Sequence, residues 1–584
     1  MKRIGLISFI LFECVQAIIG QGYDRYWISG YDLSNVPGDT LYGGTYIDFR
    51  EEPPRVFYDP FHTMNFKATS AAISDSIGDL LFYTNGMLID DASHHIIPGG
   101  DTIGYGSYWE NYHVEGKLLG MNLDQGSIIV PKPGGDPFAY FLIHTKAEIR
   151  DSVLPEMSDI LLTEVRVVEN KPIVVFKDHL IAQDTFSYGK LAICRHANGS
   201  DWWLVVGSKN DNHYYIILIS EKGAEIDTIQ EVGSPVQHGV GQAGFGLRGN
   251  LYYRYEAVTL GDSGSSIHLY NFDRCRGLLS NERWWYLANE SITGAATSSN
   301  GRFLYTTDAT KIWQWDLMEN DIQSSAIIVA EYDGFVEPNW FGTYFGLMGL
   351  WPDGRIYVIP PTGGSMFVHT ITQPNQKGTA CRVLQHNLKL PTWNARTMPF
   401  HADFSLGPLD GSPCDSSGID NHPIARFRFE PELPDLATIR FTDLSQFDPV
   451  TWHWDFGDGD VGDDPFEIHT YDKTGNYNVC LTASNSFSSS ETCKEVYAEK
   501  SLTSSNLPNQ AISIFPNPVH DYFEVNPIVP GIINMSLFNA DGRLVFHTIM
   551  SCPCSVLINK LLPGIYIYQI SMGGKMTFGK LVKT

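Results

Sequence analysis

The chain has 584 residues, of which 43% are hydrophobic, 13% aromatic and only 18% charged, with 54 glycines. That length exceeds one ordinary core and sets an expectation of roughly two to four domains, and the apolar, turn-rich composition leans towards an all-β protein. Forty basic against 66 acidic side chains give a net charge of −26, which repels phosphate backbones and anionic lipid and excludes nucleic acid as an expected partner.

Residues 1–20 read as a secretory signal peptide cleaved near Gly20. Lys2 and Arg3 form a basic start, and Ile4 to Gly20 is apolar apart from Ser8, Glu13 and Gln16. A membrane anchor is the competing reading, but the run is short and contains Glu13. Cys14 follows Leu11-Phe12-Glu13 rather than the small residues of a lipoprotein signal. No other stretch is long and apolar enough to span a bilayer, so no transmembrane segment is expected in the mature chain. Removing the signal leaves eight cysteines in an exported protein, where disulfides persist. Cys480 and Cys493 are 13 apart on two strand-like segments and are the expected pair, closing a loop that stabilises by roughly 3 kcal/mol. The partners of Cys194, Cys275, Cys381 and Cys414 stay open. Cys552-Pro553-Cys554 is too tight for an easy bridge to itself.

Residues 23–407 show no helical period. A turn-then-strand unit recurs instead: Gly78 before Leu80–Tyr83, Gly135 before Phe138–Phe141, Gly199 before Trp202–Val205, Gly249 before Leu251–Tyr253, Gly301 before Phe303–Tyr305, and Gly354 before Ile356–Val358. The glycines are 57, 64, 50, 52 and 53 apart. That is the period of a four-stranded propeller blade, and the region predicts a β-propeller of about seven blades. Separate sandwiches are the alternative. A polar break at Asp410–Gly418 ends the region. Strand-like alternation returns over 420–498, the size of a small Ig-like β-sandwich. A Ser/Asn-rich linker covers 499–510, and 511–584 reads as a third, small β-sandwich.

Within the second unit, Trp452 to Asp460 reads WHWDFGDGD. Trp452, Trp454 and Phe456 should face one way on a strand and Asp455 the other, with Gly457-Asp458-Gly459 as a tight turn. A calcium loop needs regularly spaced acidic ligands and a glycine at the sharp turn. Asp458, Asp460 and Asp463 are weak candidates, because the third ligand is missing and the turn glycine misplaced. The segment Trp454-Asp455-Phe456-Gly457-Asp458-Gly459, with His469-Thr470-Tyr471, Gly475-Asn476-Tyr477 and Val479–Asn485, closely resembles a PKD domain. The resemblance implies a β-sandwich spacer or interaction module without catalysis.

The C-terminus resembles the sorting domain of Bacteroidetes type IX secretion cargo. The matching residues are Phe515-Pro516-Asn517-Pro518, Leu537–Val545 with Asp541 and Gly542, Leu562-Pro563-Gly564-Ile565-Tyr566, and Gly579–Lys583 with Lys580. This implies the type IX machinery as a partner, passage through the outer membrane, and a secreted or cell-surface location. The stretches Ala72–Gly86, Gly126–Gly134 and Leu350–Tyr357 make the first region similar to the N-terminal regions of large Bacteroidetes surface proteins, some labelled gliding-motility-associated.

No catalytic constellation emerges. Gly261-Asp262-Ser263-Gly264 echoes a serine-protease segment, but no other protease motif accompanies it. His94-His95 after Asp90-Asp91 hints at a metal, yet adjacent strand side chains point to opposite faces. Ser74–Gly78 departs from the Asp box of sialidase propellers, and sequence cannot choose a glycosidase pair among 66 acids. No cofactor or metal is expected. Trp202-Trp203 and Trp284-Trp285 are candidate ligand aromatics that would stack on glycans or surface proteins, with packing between blades as the alternative. The expected function is non-catalytic binding or adhesion, with the propeller as platform, the PKD domain as spacer and the C-terminal domain as export signal. The alternative is a secreted polysaccharide- or peptide-degrading hydrolase with catalytic carboxylates in the propeller pocket.

Overall fold

A computed structural model describes residues 22–584, apart from 33–40, 115–116, 150–154, 237–239, 258–263, 289–293, 338–340, 416–417, 433–434, 501–511 and short stretches of the C-terminal unit (516–518, 520–521, 528–530, 540–542, 553, 559–560, 573–574 and 584). The expected signal peptide lies outside the described residues, as does most of the expected linker. The protein is all-β: an N-terminal propeller, then two β-sandwiches. Among the described residues one short α-helix, Ser107–Tyr112, interrupts the propeller.

Seven antiparallel meander sheets follow one another in the propeller. Blade 1 is Tyr26–Tyr31, Gly43–Asp48 and Arg55–Asp59; blade 2 is Ala71–Ser74, Leu80–Thr84 and Ile89–Asp91. Four-stranded blades 3 to 7 begin at Ser127, Ala192, Gly241, Ala295 and Met348, and the last ends at Asn394. The turn between first and second strands carries the glycines of the sequence repeat. Gly78, Gly135, Gly199, Gly249, Gly301 and Gly354 all have positive φ, between 67° and 94°, where any side chain would be strained. Each blade buries its faces only against its neighbours, and the resulting cores form a closed cycle. Tyr26, Ile28 and Tyr83 join blades 1 and 2. One large core spans blades 2, 3 and 4. Trp203 and Tyr252 join blades 4 and 5, Trp285 and Trp315 blades 5 and 6, Tyr305 and Ile356 blades 6 and 7. Trp351 stacks on Trp27 at 5.3 Å and on Phe49 at 4.8 Å, which closes blade 7 onto blade 1.

The ring centre is filled. Gln125 pairs its side-chain amide with both backbone groups of Ala243 at 2.8 Å. Gln242 does the same to Met348 and also accepts from the Ala295 N–H. A primary amide offers the donor and acceptor of a peptide group, so these glutamines act as ladder rungs between first strands. The segment after blade 7 then threads the ring. Arg396 meets Asp124 at 2.6 Å, just before the first strand of blade 3. The Phe400 N–H donates to Ser70 O, and Phe404 packs on Tyr23 and Trp202. Leu406 lies over Gly249 and Pro408 over Gly199. Asp124 and Ser70 precede first strands, whereas Gly249 and Gly199 follow them in the turns. Residues 395–407 therefore enter at the end opposite the glycine turns and leave at the turn end. Beyond them Cys414 is disulfide-bonded to Cys275, in the outer hairpin of blade 5.

The second unit is a sandwich of a three-stranded sheet (Phe427–Glu432, Asp435–Asp443, Phe466–Thr470) and a four-stranded one (Val461–Gly462, Thr451–Asp455, Gly475–Ser484, Ser489–Ala498). Its core holds Phe427, Phe441, Trp454, Phe456, Val479 and Leu481. Cys480 and Cys493 sit opposite each other in register and are bonded. Reducing that bond should lower the unfolding free energy of this unit by about 3 kcal/mol, read as a lower midpoint in urea with and without reductant. The unit is docked on the turn end of the propeller. Arg355 of blade 7 lies 3.2 Å from Glu430 and 3.0 Å from Asp353, and Arg428 donates to Thr372 O at 2.6 Å. Lys494 reaches Glu52 of blade 1 at 2.8 Å. Buried charges satisfied across a joint fix its geometry, because breaking one strands its partner. The third unit, from Ile512 to Lys583, packs a three- against a four-stranded sheet around Phe523, Met535, Leu537 and Ile570.

Two buried histidines make the propeller sensitive to acid. Burial pushes His62 down to about 4 and His369 to about 3, against about 6.5 in an unfolded chain. A depressed folded-state pKa gives stability that is complete above pH 6.5 and is lost as pH falls towards the folded value. Each should cost about 2–3 kcal/mol at pH 4.5. Urea midpoints measured from pH 7 to pH 4.5 should fall steadily, and less steeply in a His62→Gln variant.

Candidate functional site

The candidate aromatics separate. Trp202 and Trp203 stand on the second strand of blade 4, all six residues of which are buried. Trp202 packs under Arg195 and against Phe404, and Trp203 donates its indole N–H to Arg274 O at 2.7 Å. Trp285 packs on Trp315 between blades 5 and 6. These three are core residues, so the expectation that they offer ligand contacts is corrected. The reason is physical: Trp202 and Trp203 face opposite sides of an inner strand and neighbouring blades cover both, while Trp285, on an outer strand, faces blade 6, which covers it. Trp284 differs, because it stands on the outermost strand of blade 5 and is 56% exposed.

Of the weak calcium candidates, Asp458 and Asp460 come together with His469, their ligand atoms within 4.8 Å of one another, whereas Asp463 lies 3.0 Å from His453 and is outside that group. Asp458 accepts from the Asp460 N–H and lies 2.7 Å from His469 Nε2, whose ring stacks flat on Phe456 at 4.3 Å. Trp454 and Phe456 are buried, Asp455 is exposed, and Gly457 and Gly459 have positive φ. WHWDFGDGD is thus a strand ending in a turn, which His469 ties down. His94 and His95 do not converge: His94 lies between Asp59 at 2.9 Å and Tyr83 at 2.9 Å, joining blades 1 and 2, while His95 is largely exposed. Cys194 and Cys381 are free and buried, and Cys554 also takes part in a disulfide. Of the sorting motif, Tyr566 is buried, Lys580 is exposed, and Pro563 and Gly564 form an edge turn into a strand. Pro516, Asn517, Pro518, Asp541 and Gly542 lie outside the described residues.

A cleft of about 540 Å³ opens at the end of blade 3 opposite the glycine turns, lined by Lys146, Glu148, Ile149, Ser158, Asp159, Gln183, Asp184 and Thr185. That volume suits a small ligand. Asp159 and Gln183 face each other in register and are joined at 3.0 Å. Lys146 lies 2.7 Å from Glu148 and 3.9 Å from Asp159. Glu148 also accepts from the Ser107 N–H and hydroxyl. Burial works to raise its pKa, but the hydrogen bonds from Lys146 and Ser107 outweigh it and hold the carboxyl below the usual range. Asp184 accepts from Ser208 and Tyr215 at 3.0 and 2.9 Å. Sequence reasoning missed this site. Its signal was the polar pairs Ser158-Asp159 and Gln183-Asp184, each interrupting an apolar strand.

Residues 421–499 match the PKD domain family. Residues 513–584 match the secretion system C-terminal sorting domain family. That C-terminal domain marks the chain for handling by the type IX secretion machinery. As such cargo it is exported to the cell surface or the extracellular space, and no helix among the described residues is long and apolar enough to cross a membrane. No curated protein matches the cargo chain. Among solved structures, the PKD1 domain of Vibrio anguillarum Epp is 24% identical, covering 14% of this chain and 99% of its own, at a TM-score of 0.13. The Dos1 propeller is 9% identical over 65% of this chain and 87% of its own, at 0.33. Hydrazine synthase of Kuenenia stuttgartiensis is 10% identical over 58% and 89%, at 0.32. The propeller assignment rests on the sheet order and the closed cycle of cores rather than on these likenesses.

Proposed function

We propose that this cargo is a non-catalytic binding protein whose propeller presents a polar ligand site at the open end of blade 3, with the PKD domain carrying that platform towards the sorting domain. The observation that supports this reading best is the filled ring centre. A hydrolase of the kind weighed above needs catalytic carboxylates around an open central pocket, and here residues 395–407 and the Gln125 and Gln242 side chains occupy that space. The cleft of blade 3 points the same way. Glu148 is held ionised by Lys146 and Ser107, which suits hydrogen-bond acceptance and not proton donation to a leaving group. Lys146, Gln183, Ser158 and Thr185 present donors and acceptors matched to a hydroxyl-rich ligand.

The test is calorimetric titration of the purified protein with oligosaccharides and peptides, each mixture then analysed for cleavage. Saturable binding to intact ligand is expected, weakened about tenfold or more by Gln183→Ala. Product release that vanishes in Glu148→Gln would refute the reading.

A further inference from the structure

Trp284 is the one exposed tryptophan among the described residues. It does not stand alone. Tyr286, two residues on along the same outer strand and 43% exposed, faces the same side. The two side chains are therefore about 7 Å apart along the strand. Trp284 is opposite His268 in register, and the rings stack at 5.8 Å with an interplanar angle of 11°. His268 is itself buried and fixed, with Nδ1 2.8 Å from Glu282 and Nε2 2.9 Å from Ser266. Glu282 is held in turn by Tyr270 and by the N–H and hydroxyl of Ser234. Tyr286 is opposite Ser266 in register, and its ring reaches diagonally to Gly264, where a Cβ would fall 1.9 Å from its hydroxyl oxygen. The missing side chain at Gly264 makes room for the ring.

We infer that Trp284 and Tyr286 form a rigid platform for a neutral polysaccharide chain, separate from the cleft of blade 3. Three features select that occupant. The pair presents two exposed aromatic rings spaced along one strand, which suit stacking on the apolar C–H faces of successive sugar rings. The neighbour on the same face is polar, Glu282, and two side chains alone fall well short of the area that a stable protein interface buries. The net charge of −26 disfavours an anionic polymer. Preorganisation by His268 and Gly264 means that little side-chain freedom is lost on binding.

Affinity electrophoresis of the full chain tests this, in native gels containing hydroxyethyl cellulose, galactomannan or xylan, with polygalacturonate as the anionic comparison. Retardation by at least one neutral polymer is expected. Trp284→Ala should weaken it about tenfold, Tyr286→Ala should weaken it further in combination, and Trp284→Phe should retain most of it. Unchanged retardation in Trp284→Ala, no retardation by any neutral polymer, or preference for polygalacturonate would each overturn the assignment. Because Trp284 is exposed, the Ala variant should melt with the parent, which separates lost binding from lost folding. The same comparison is made in a Gln183→Ala background, where the loss on Trp284→Ala should persist, so failure of the platform and failure of the blade 3 site can be told apart.

Discussion

Replacing Arg396 by methionine should destabilise the propeller by about 3–5 kcal/mol at pH 7. The Asp124 carboxylate is buried in the ring centre, and burial raises its pKa while Arg396 and Lys190 oppose that rise. Without the guanidinium, 2.6 Å away, Asp124 must stay charged without its closest counter-ion or take up a proton. Its folded-state pKa then climbs further. A carboxyl with a raised folded pKa is least unfavourable below its unfolded value, so the deficit of the variant against the parent should shrink as pH falls. Urea unfolding of Arg396→Met and of Arg396→Met/Asp124→Asn at pH 7 and pH 5 checks both parts. The double variant should recover much of the loss. Equal midpoints for parent and Arg396→Met would show that the threaded segment does not depend on this pair.

Breaking the Cys275–Cys414 bond should cost about 5 kcal/mol by loop-closure entropy, because the residues are 139 apart in sequence. The loop contains blades 6 and 7 and all of the threaded segment, so its unfolded ensemble gains the most freedom when the bond is absent. A Cys275→Ser/Cys414→Ser variant should unfold at markedly lower urea than the Cys480→Ser/Cys493→Ser variant relative to the parent. An unchanged midpoint would mean that the docked PKD unit already holds residue 414 in place.

The blade count was legible because the turn between first and second strands demands positive φ, and glycine reports that demand at a regular spacing. The connection between the first two strands of blade 1 lies mostly outside the described residues, and its strands were not singled out. The threaded segment was illegible. Ala395 to Gly407 has neither strand nor helix period, and its partners, from Lys67 to Arg274, are set by closure of the ring. The tryptophan pairs show the same limit. Local pattern places Trp202-Trp203 and Trp284-Trp285 on strands, but only the position of a strand within its blade decides whether a face is covered. In blade 4 the pair stands second from the centre and vanishes into the core. In blade 5 it stands at the edge, and one of the two emerges. The cleft of blade 3 arises where strands ending at Glu148, starting at Glu156 and ending at Phe186 come together, a juxtaposition that no local spacing encodes.

The order of attachments along the chain has a mechanical consequence. A pull between a ligand held on the propeller and the C-terminal domains enters through the PKD sandwich. It is divided at once between the charged joint of Arg355, Glu430 and Arg428 and the covalent tie at Cys414. Both tethers lie C-terminal to residue 407, so the force passes into the rims of blades 7 and 5, and the strand of chain that fills the axle stays slack.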